Sequence, residues 1–187
     1  MKFAELLTSD RIVLKRPTPT FTLAQEILIG INESRDNLRQ WLPWVDNTTT
    51  VEHEYNTLYD YADKRWNDNS GFFYIICDKE TGKFLGCIDL ITFNEKNKNC
   101  EIGYWIRNSA QGKGYMSEAL KCLEKELFTV GIHRIQIGND PRNIRSVNVT
   151  KRADYHLDGV LKHNRWDNYH NDYADTNVWS KLNPEIK

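Results

Sequence analysis

Cys100-Glu101-Ile102-Gly103-Tyr104-Trp105-Ile106-Arg107 alternates as a strand does, and the polar segment Asn108 to Gly114 that follows carries two glycines. Met116, Ala119, Leu120, Leu123, Leu127 and Phe128 then recur at helical spacing. Gly131 ends that helix, and Arg134-Ile135-Gln136-Ile137 lies at the centre of a strand over His133–Gly138. Strand, glycine loop, helix and strand make a βαβ unit, which predicts parallel strands and a right-handed crossover.

Upstream, Phe72–Cys77 and Phe84–Ile91 are further strands. They are joined to the Cys100 strand by the turns Asp78–Gly82 and Asn94–Asn99. Short turns predict an antiparallel meander. Arg11–Arg16 is a first strand, stopped by Pro17 and Pro19. Thr20 or Thr22 caps a helix through Leu23, Ile27, Leu28 and Ile31, and a second helical stretch covers 51–66. Between them lies Gln40-Trp41-Leu42-Pro43-Trp44-Val45, which either covers the sheet or walls a pocket. Downstream, a short helix over Ile144–Arg152 precedes strands at 158–166 and 173–182. The expected fold is α/β: a mixed, twisted sheet of six or seven strands, splayed after the central strand, with about four helices. With no repeat or linker, residues 1–187 read as one domain.

Composition excludes several classes. With 25 Lys+Arg against 26 Asp+Glu, bulk electrostatics carry no nucleic acid. There is no run of 18 apolar residues to span a membrane, and Met1–Asp10 has no signal-peptide core. A cytoplasmic chain is expected. Cys77, Cys87, Cys100 and Cys122 form no CxxC and read as reduced thiols. His156, His163 and His170 recur every seventh position, which is no metal spacing, so no metal is expected.

Gln111-Gly112-Lys113-Gly114-Tyr115-Met116 stands between strand and helix. A helix N-terminus offers unsatisfied N–H groups and positive potential, and glycines let a phosphate approach. Lys113 is not followed by Ser or Thr, so this is no Walker loop, and it is no Rossmann fingerprint. On spacing alone it is a pyrophosphate cradle or a plain turn.

The loop resembles the R/Q-x-x-G-x-G/A segment of the GNAT superfamily of acetyltransferases, with Gln111, Gly114 and Met116 in those places. Trp41-Leu42-Pro43-Trp44, Glu101-Ile102-Gly103-Tyr104-Trp105-Ile106, Met116-Ser117-Glu118-Ala119, the NxxS of Asn143 to Ser146 and the turn Leu157-Asp158-Gly159 resemble its RimJ/RimL-like branch of ribosomal-protein N-terminal acetyltransferases. The resemblance runs from about Arg11 to Leu182. It implies acetyl-CoA as co-substrate. The pantetheine would lie along the backbone of Trp105, Ile106 and Arg107, and the pyrophosphate on amides from Gln111 through Gly112, Lys113, Gly114 and Tyr115 to Met116. Asn143 would bond the pantetheine or phosphate, its alternative being a helix cap. Ser146 would protonate the departing thiolate.

The acceptor would be an amine of a protein N-terminus, a peptide or a small molecule. An α-amino group with a pKa near 7.8 is neutral about once in seven at pH 7, whereas a lysine is neutral about once in 2,500. A weak base therefore suffices for an N-terminus. The branch's glutamate base falls, by ungapped counting, on Arg165, which is no base. Glu101 on the central strand is the candidate instead, with Asp167 and His163 as substitutes. The charged segment Asp154–Asp175 would attract a cationic amine or be a solvated edge. The alternatives are a CoA-binding sensor without turnover and a nucleotide-binding enzyme. The exposed strands and the aromatic count suggest a homodimer.

Overall fold

The computed structural model describes residues 1–186. Eight strands form one sheet in the order β1-β2-β3-β4-β5-β6-β8-β7. They are β1 (Leu6–Thr8), β2 (Ile12–Lys15), β3 (Phe72–Asp78), β4 (Phe84–Asn94), β5 (Asn99–Ile106), β6 (Arg134–Asn139), β7 (His156–Asp167) and β8 (Asp172–Leu182). The helices are α1 (Phe21–Leu38), α2 (Val51–Thr57), α3 (Arg65–Asn67), α4 (Tyr115–Thr129) and α5 (Ile144–Arg152). A π-helix over Leu58–Lys64 fuses α2 to α3, so the helical stretches number four, as expected. The sheet has one strand more than the six or seven expected. That strand is β1, three residues paired antiparallel to β2.

Local chemistry accounts for the boundaries. Thr20 Oγ1 accepts the N–H of Leu23 at 3.1 Å and starts α1. That helix buries Ala24, Ile27, Leu28, Ile31 and Leu38 on one stripe. In the turn after β3, Asp78 Oδ1 accepts from the backbone of Glu80 and Thr81 and from Thr81 Oγ1. Packing comes from period-two alternation across the sheet. Ile102 and Cys100 face α4, where Leu120, Leu123 and Leu127 are fully buried, each contributing about 1.5–3 kcal/mol. Trp105, on the opposite face, packs with Phe84, Ile27 and Ile31 of the α1 side.

The feature that matters for function is a split in the sheet. β5 and β6 are parallel, as predicted, but pair only at Asn99–Arg134, Cys100–Ile135 and Glu101–Gln136. Beyond Glu101, β5 stays with β4 as far as Ile106, and β6 follows β8 as far as Asn139. A register shift in β4 between Leu90 and Thr92 sits beside the divergence and strengthens the local twist.

Candidate active site

A cavity of about 980 Å³ opens at the split. Arg107 donates its backbone N–H to Leu85 O at 2.9 Å, so alternation turns the amide groups of Trp105 toward β4 as well. The strand groups that face the gap belong to Tyr104 and Ile106. The Arg107 side chain leaves the cavity altogether. Its guanidinium pairs with Glu33 of α1 and donates to Phe84 O at 3.3 Å.

The glycine loop is held from α1. Glu33 accepts the N–H of Ser109 at 2.6 Å, Ser34 Oγ accepts that of Asn108 at 2.9 Å, and Asn37 Nδ2 donates to Asn108 Oδ1 at 2.9 Å. Burial would raise the Glu33 pKa, but the bonds from Arg107 and Ser109 outweigh it and hold it at about 2. Gly112 and Gly114 have φ of +75° and +80°, the left-handed region that glycine enters without strain. Gly114 is also the N-cap of α4 and provides no side-chain cap, so the first-turn amides of that helix stay open.

Trp105, Ile106, Gln111, Gly112, Gly114, Tyr115 and Met116 line the cavity; Arg107 and Lys113 do not. The Lys113 carbonyl accepts from Arg11 Nη1 at 3.0 Å. Gln111 Oε1 accepts from Arg145 Nη1 at 2.7 Å. Asn143 lines the cavity and also caps α5, its Oδ1 accepting the N–H of Ser146 at 3.2 Å.

Glu101 and Ser146 approach the split from opposite faces. Glu101 shares its face with Trp105; its Oε2 accepts from Gln136 Nε2 at 3.3 Å. A Cβ on Gly138 would come within 3.1 Å of Glu101 Oε1, so a side chain there would press the carboxylate aside by a few tenths of an ångström. Ser146 lies in the first turn of α5, where its Oγ is 3.0 Å from Tyr104 Oη and 3.3 Å from Asn139 Nδ2.

At the outer end stands a cluster of ion pairs. Asp140, with a side chain 3 % exposed, accepts from Arg142 Nη2 at 2.7 Å and from Arg165 Nη2 at 2.8 Å. Arg142 also reaches Asp167 at 2.6 Å, and His170 Nδ1 lies 2.7 Å from the same carboxylate. Burial pushes the Asp167 pKa up, but the bonds from His170, Tyr169 and Arg142 prevail and hold it at about 2. This carboxylate is ionised and engaged. His163 sits at a backbone φ of +49° stacked on Tyr173 and does not line the cavity. Trp41 and Leu42 wall the cavity, while Trp44 packs near Trp105, ring centroids 6.2 Å apart. No group of His, Cys, Asp and Glu among the described residues is arranged to hold a metal, and no helix there is long and apolar enough to cross a membrane.

The residues that spacing did not reveal are the supports: Glu33, Ser34 and Asn37 under the loop, Asp140 and Arg142 at the outer end, and Tyr104 and Asn139 around Ser146. Apart from Tyr104, none belongs to a pattern read from the sequence, and most act through partners distant in the chain.

The family model for the acetyltransferase (GNAT) domain matches residues 11–156. The ribosomal-protein-serine acetyltransferase of Escherichia coli (strain K12) is 28 % identical over 146 residues, 78 % of this chain and 79 % of that protein. Among solved structures, RimL, the ribosomal L7/L12 α-N-protein acetyltransferase in complex with coenzyme A, superposes with a TM-score of 0.87 at 23 % identity, covering 95 % of this chain and 98 % of that one. The microcin C7 self-immunity acetyltransferase MccE, in complex with acetyl-CoA and AMP, gives 0.84 at 24 %, covering 93 % of each. At those identities the superpositions speak for the fold.

Proposed function

The chain belongs to the acetyltransferase (GNAT) family, and on that premise we propose that it moves the acetyl group of acetyl-CoA to an α-amino group by direct attack. The acceptor is a protein or peptide N-terminus, with ribosomal proteins first in line, because relatives over most of the chain are named for them. Residues 1–187 act as one catalytic domain, in the cytoplasm where such termini are made.

The observation that carries this reading is the split between β5 and β6, with Glu101 on one side, Ser146 on the other and the open α4 amides at its mouth. The thioester arm lies along the gap-facing groups of Ile106, in the stretch Trp105 to Arg107. The pyrophosphate takes the amides from Gln111 to Met116, where two left-handed glycines leave the approach free. Glu101, directly or through a water, receives the amine proton, and an α-amine needs no stronger base. Backbone N–H groups near Ile106 stabilise the oxyanion as the amine attacks. Ser146 gives its proton to the departing sulfur. Arg165, engaged with Asp140, takes no part as a base.

The test is CoA release by the purified chain with acetyl-CoA and a panel of N-terminal peptides. We expect turnover on peptides with free α-amines, and for Ser146→Ala a fall in kcat of about a hundredfold, with KM for acetyl-CoA changed less than twofold. No release on any amine overturns the enzyme reading and leaves a CoA-binding module. An unchanged kcat in Ser146→Ala removes the acid.

A further inference from the structure

Ser146 sits in a hydrogen-bond chain whose direction is fixed from outside the site. Asn139 ends β6 and is buried, 7 % exposed. Its Oδ1 accepts from Trp179 Nε1 at 3.1 Å and from Asn177 Nδ2 at 3.2 Å, both on β8. An indole N–H only donates, so it dictates which end of the Asn139 amide is oxygen. The Nδ2 is thereby turned to Ser146 Oγ at 3.3 Å, and an amide nitrogen cannot accept. Ser146 must be the acceptor in that bond.

On its other side Ser146 Oγ meets Tyr104 Oη at 3.0 Å. Burial pushes the Tyr104 phenol up to about 12, with the Ser146 bond and Arg152 opposing it only in part. The phenol keeps its proton at neutral pH. The Ser146 carbonyl is a second acceptor within reach, at 3.4 Å, but the hydroxyl is nearer and the phenol is a stronger acid than an alcohol, so on that ground we assign the phenol as donor to Ser146 Oγ.

We infer that Asn139 and Tyr104 are positioning residues that make Ser146 a proton donor, by filling both acceptor sites on its oxygen and leaving its O–H aimed into the cleft. This rests on the reading of Ser146 as the acid. When the C–S bond of the tetrahedral adduct breaks, its electron pair goes to sulfur. The Ser146 O–H bond breaks and the proton follows to sulfur, while the Tyr104 proton moves onto the serine oxygen. The phenolate recovers its proton through solvent from the one the amine released. The amine ends one proton poorer and CoA leaves as the thiol. Asn139 moves no proton; it holds the serine oxygen as acceptor throughout.

The test compares Tyr104→Phe and Asn139→Asp with the parent chain, and each again in a Ser146→Ala background. An aspartate keeps the bond to Trp179 but accepts where asparagine donated, which draws the serine proton onto itself. We expect kcat to fall about tenfold for Tyr104→Phe and about a hundredfold for Asn139→Asp, with KM for acetyl-CoA changed less than twofold. In Ser146→Ala neither substitution should lower kcat further. Equal losses with and without the serine hydroxyl, or losses in KM alone, overturn the inference. If Ser146→Ala lowers kcat but these two do not, the inference fails and the acid survives. If Ser146→Ala changes nothing, the acid reading itself has failed. Should Asn139→Asp melt below the assay temperature, Tyr104→Phe, which keeps the buried ring, decides alone.

Discussion

The two ends of the cleft are built from different materials. At the loop end, the surface that would meet a ligand is main chain: the gap-facing groups of β5, Gly112 and Gly114 with positive φ, and the open first turn of α4. At the outer end it is side chain: Arg165 lines the cavity and is held there by the nearly inaccessible Asp140, while Arg142 ties Asp140 to Asp167 and His170 behind the wall. A main-chain surface binds the same chemistry whatever its side chains are, provided the backbone can take the shape. A side-chain surface changes with each substitution. The loop end suits a donor common to many enzymes, and the outer end suits an acceptor that differs from one to the next.

The largest effect should come from forbidding the backbone shape. At Gly114 a Cβ would meet only Arg11 Nη2, at 3.6 Å, so the cost of a side chain there is conformational rather than steric. We expect Gly114→Val, a β-branched residue at φ +80°, to weaken acetyl-CoA binding about a hundredfold by titration calorimetry. Unchanged binding would mean that the loop end is not a main-chain site. Next comes the outer end. Asp140→Asn leaves two arginines without their shared carboxylate. Both reach solvent, which discounts the loss. We expect about 2 kcal/mol of stability in a denaturant titration, with the acetyl-CoA affinity unaltered. A comparable loss of affinity would show that the two ends are coupled.

The smallest effect concerns pH and separates Asp167 at the outer end from Glu54, a buried carboxyl of α2. Asp167 is held at about 2, so its contribution is present above about pH 4 and lost as pH falls toward 2. Glu54 is pushed up to about 7 by burial. The folded chain binds that proton more readily than the unfolded one, so stability is full below about pH 4.5 and declines as pH rises through 7. Asp89, pushed up to about 6 by burial, adds its own decline below that pH, so Glu54→Gln should lessen the decline most between pH 6 and 7 in melting experiments. An unchanged slope between pH 6 and 7 would assign that part of the decline elsewhere.

The same division explains what was legible in the sequence. The βαβ unit from Cys100 to Gly138 announces itself because each element has its own period and the glycines stand where the backbone needs positive φ. The strands of the β7–β8 hairpin were placed to within two residues, but Leu157-Asp158-Gly159, expected as a turn, is an irregularity inside β7. β1 was missed because three residues, Leu6 to Thr8, have too short a pattern to stand out from a polar terminus; pairing with β2 makes them a strand. The π-helix at Leu58–Lys64 leaves no mark on spacing. In the site, Glu101, Ser146 and the loop were readable. Asp140 and Arg142 were not, and Asp167 was legible only as a candidate base and not as their partner, because residues 25 apart meet only once β8 has brought β7 alongside β6. Tyr104 has a visible place in the strand pattern, yet nothing in one dimension says that its hydroxyl meets Ser146.

Three rungs between β5 and β6 have a mechanical consequence. In cross-section the sheet is two plates, β1 to β5 and β6 to β8, riveted at Asn99, Cys100 and Glu101 and otherwise held by the α4 crossover and the cores above and below. Between the plates the ladder supplies three rungs and no more, so beyond Glu101 the facing edges of β5 and β6 have no backbone tie to each other. A ligand in the gap that bonded to both edges would act as a brace, adding ties that the sheet itself lacks.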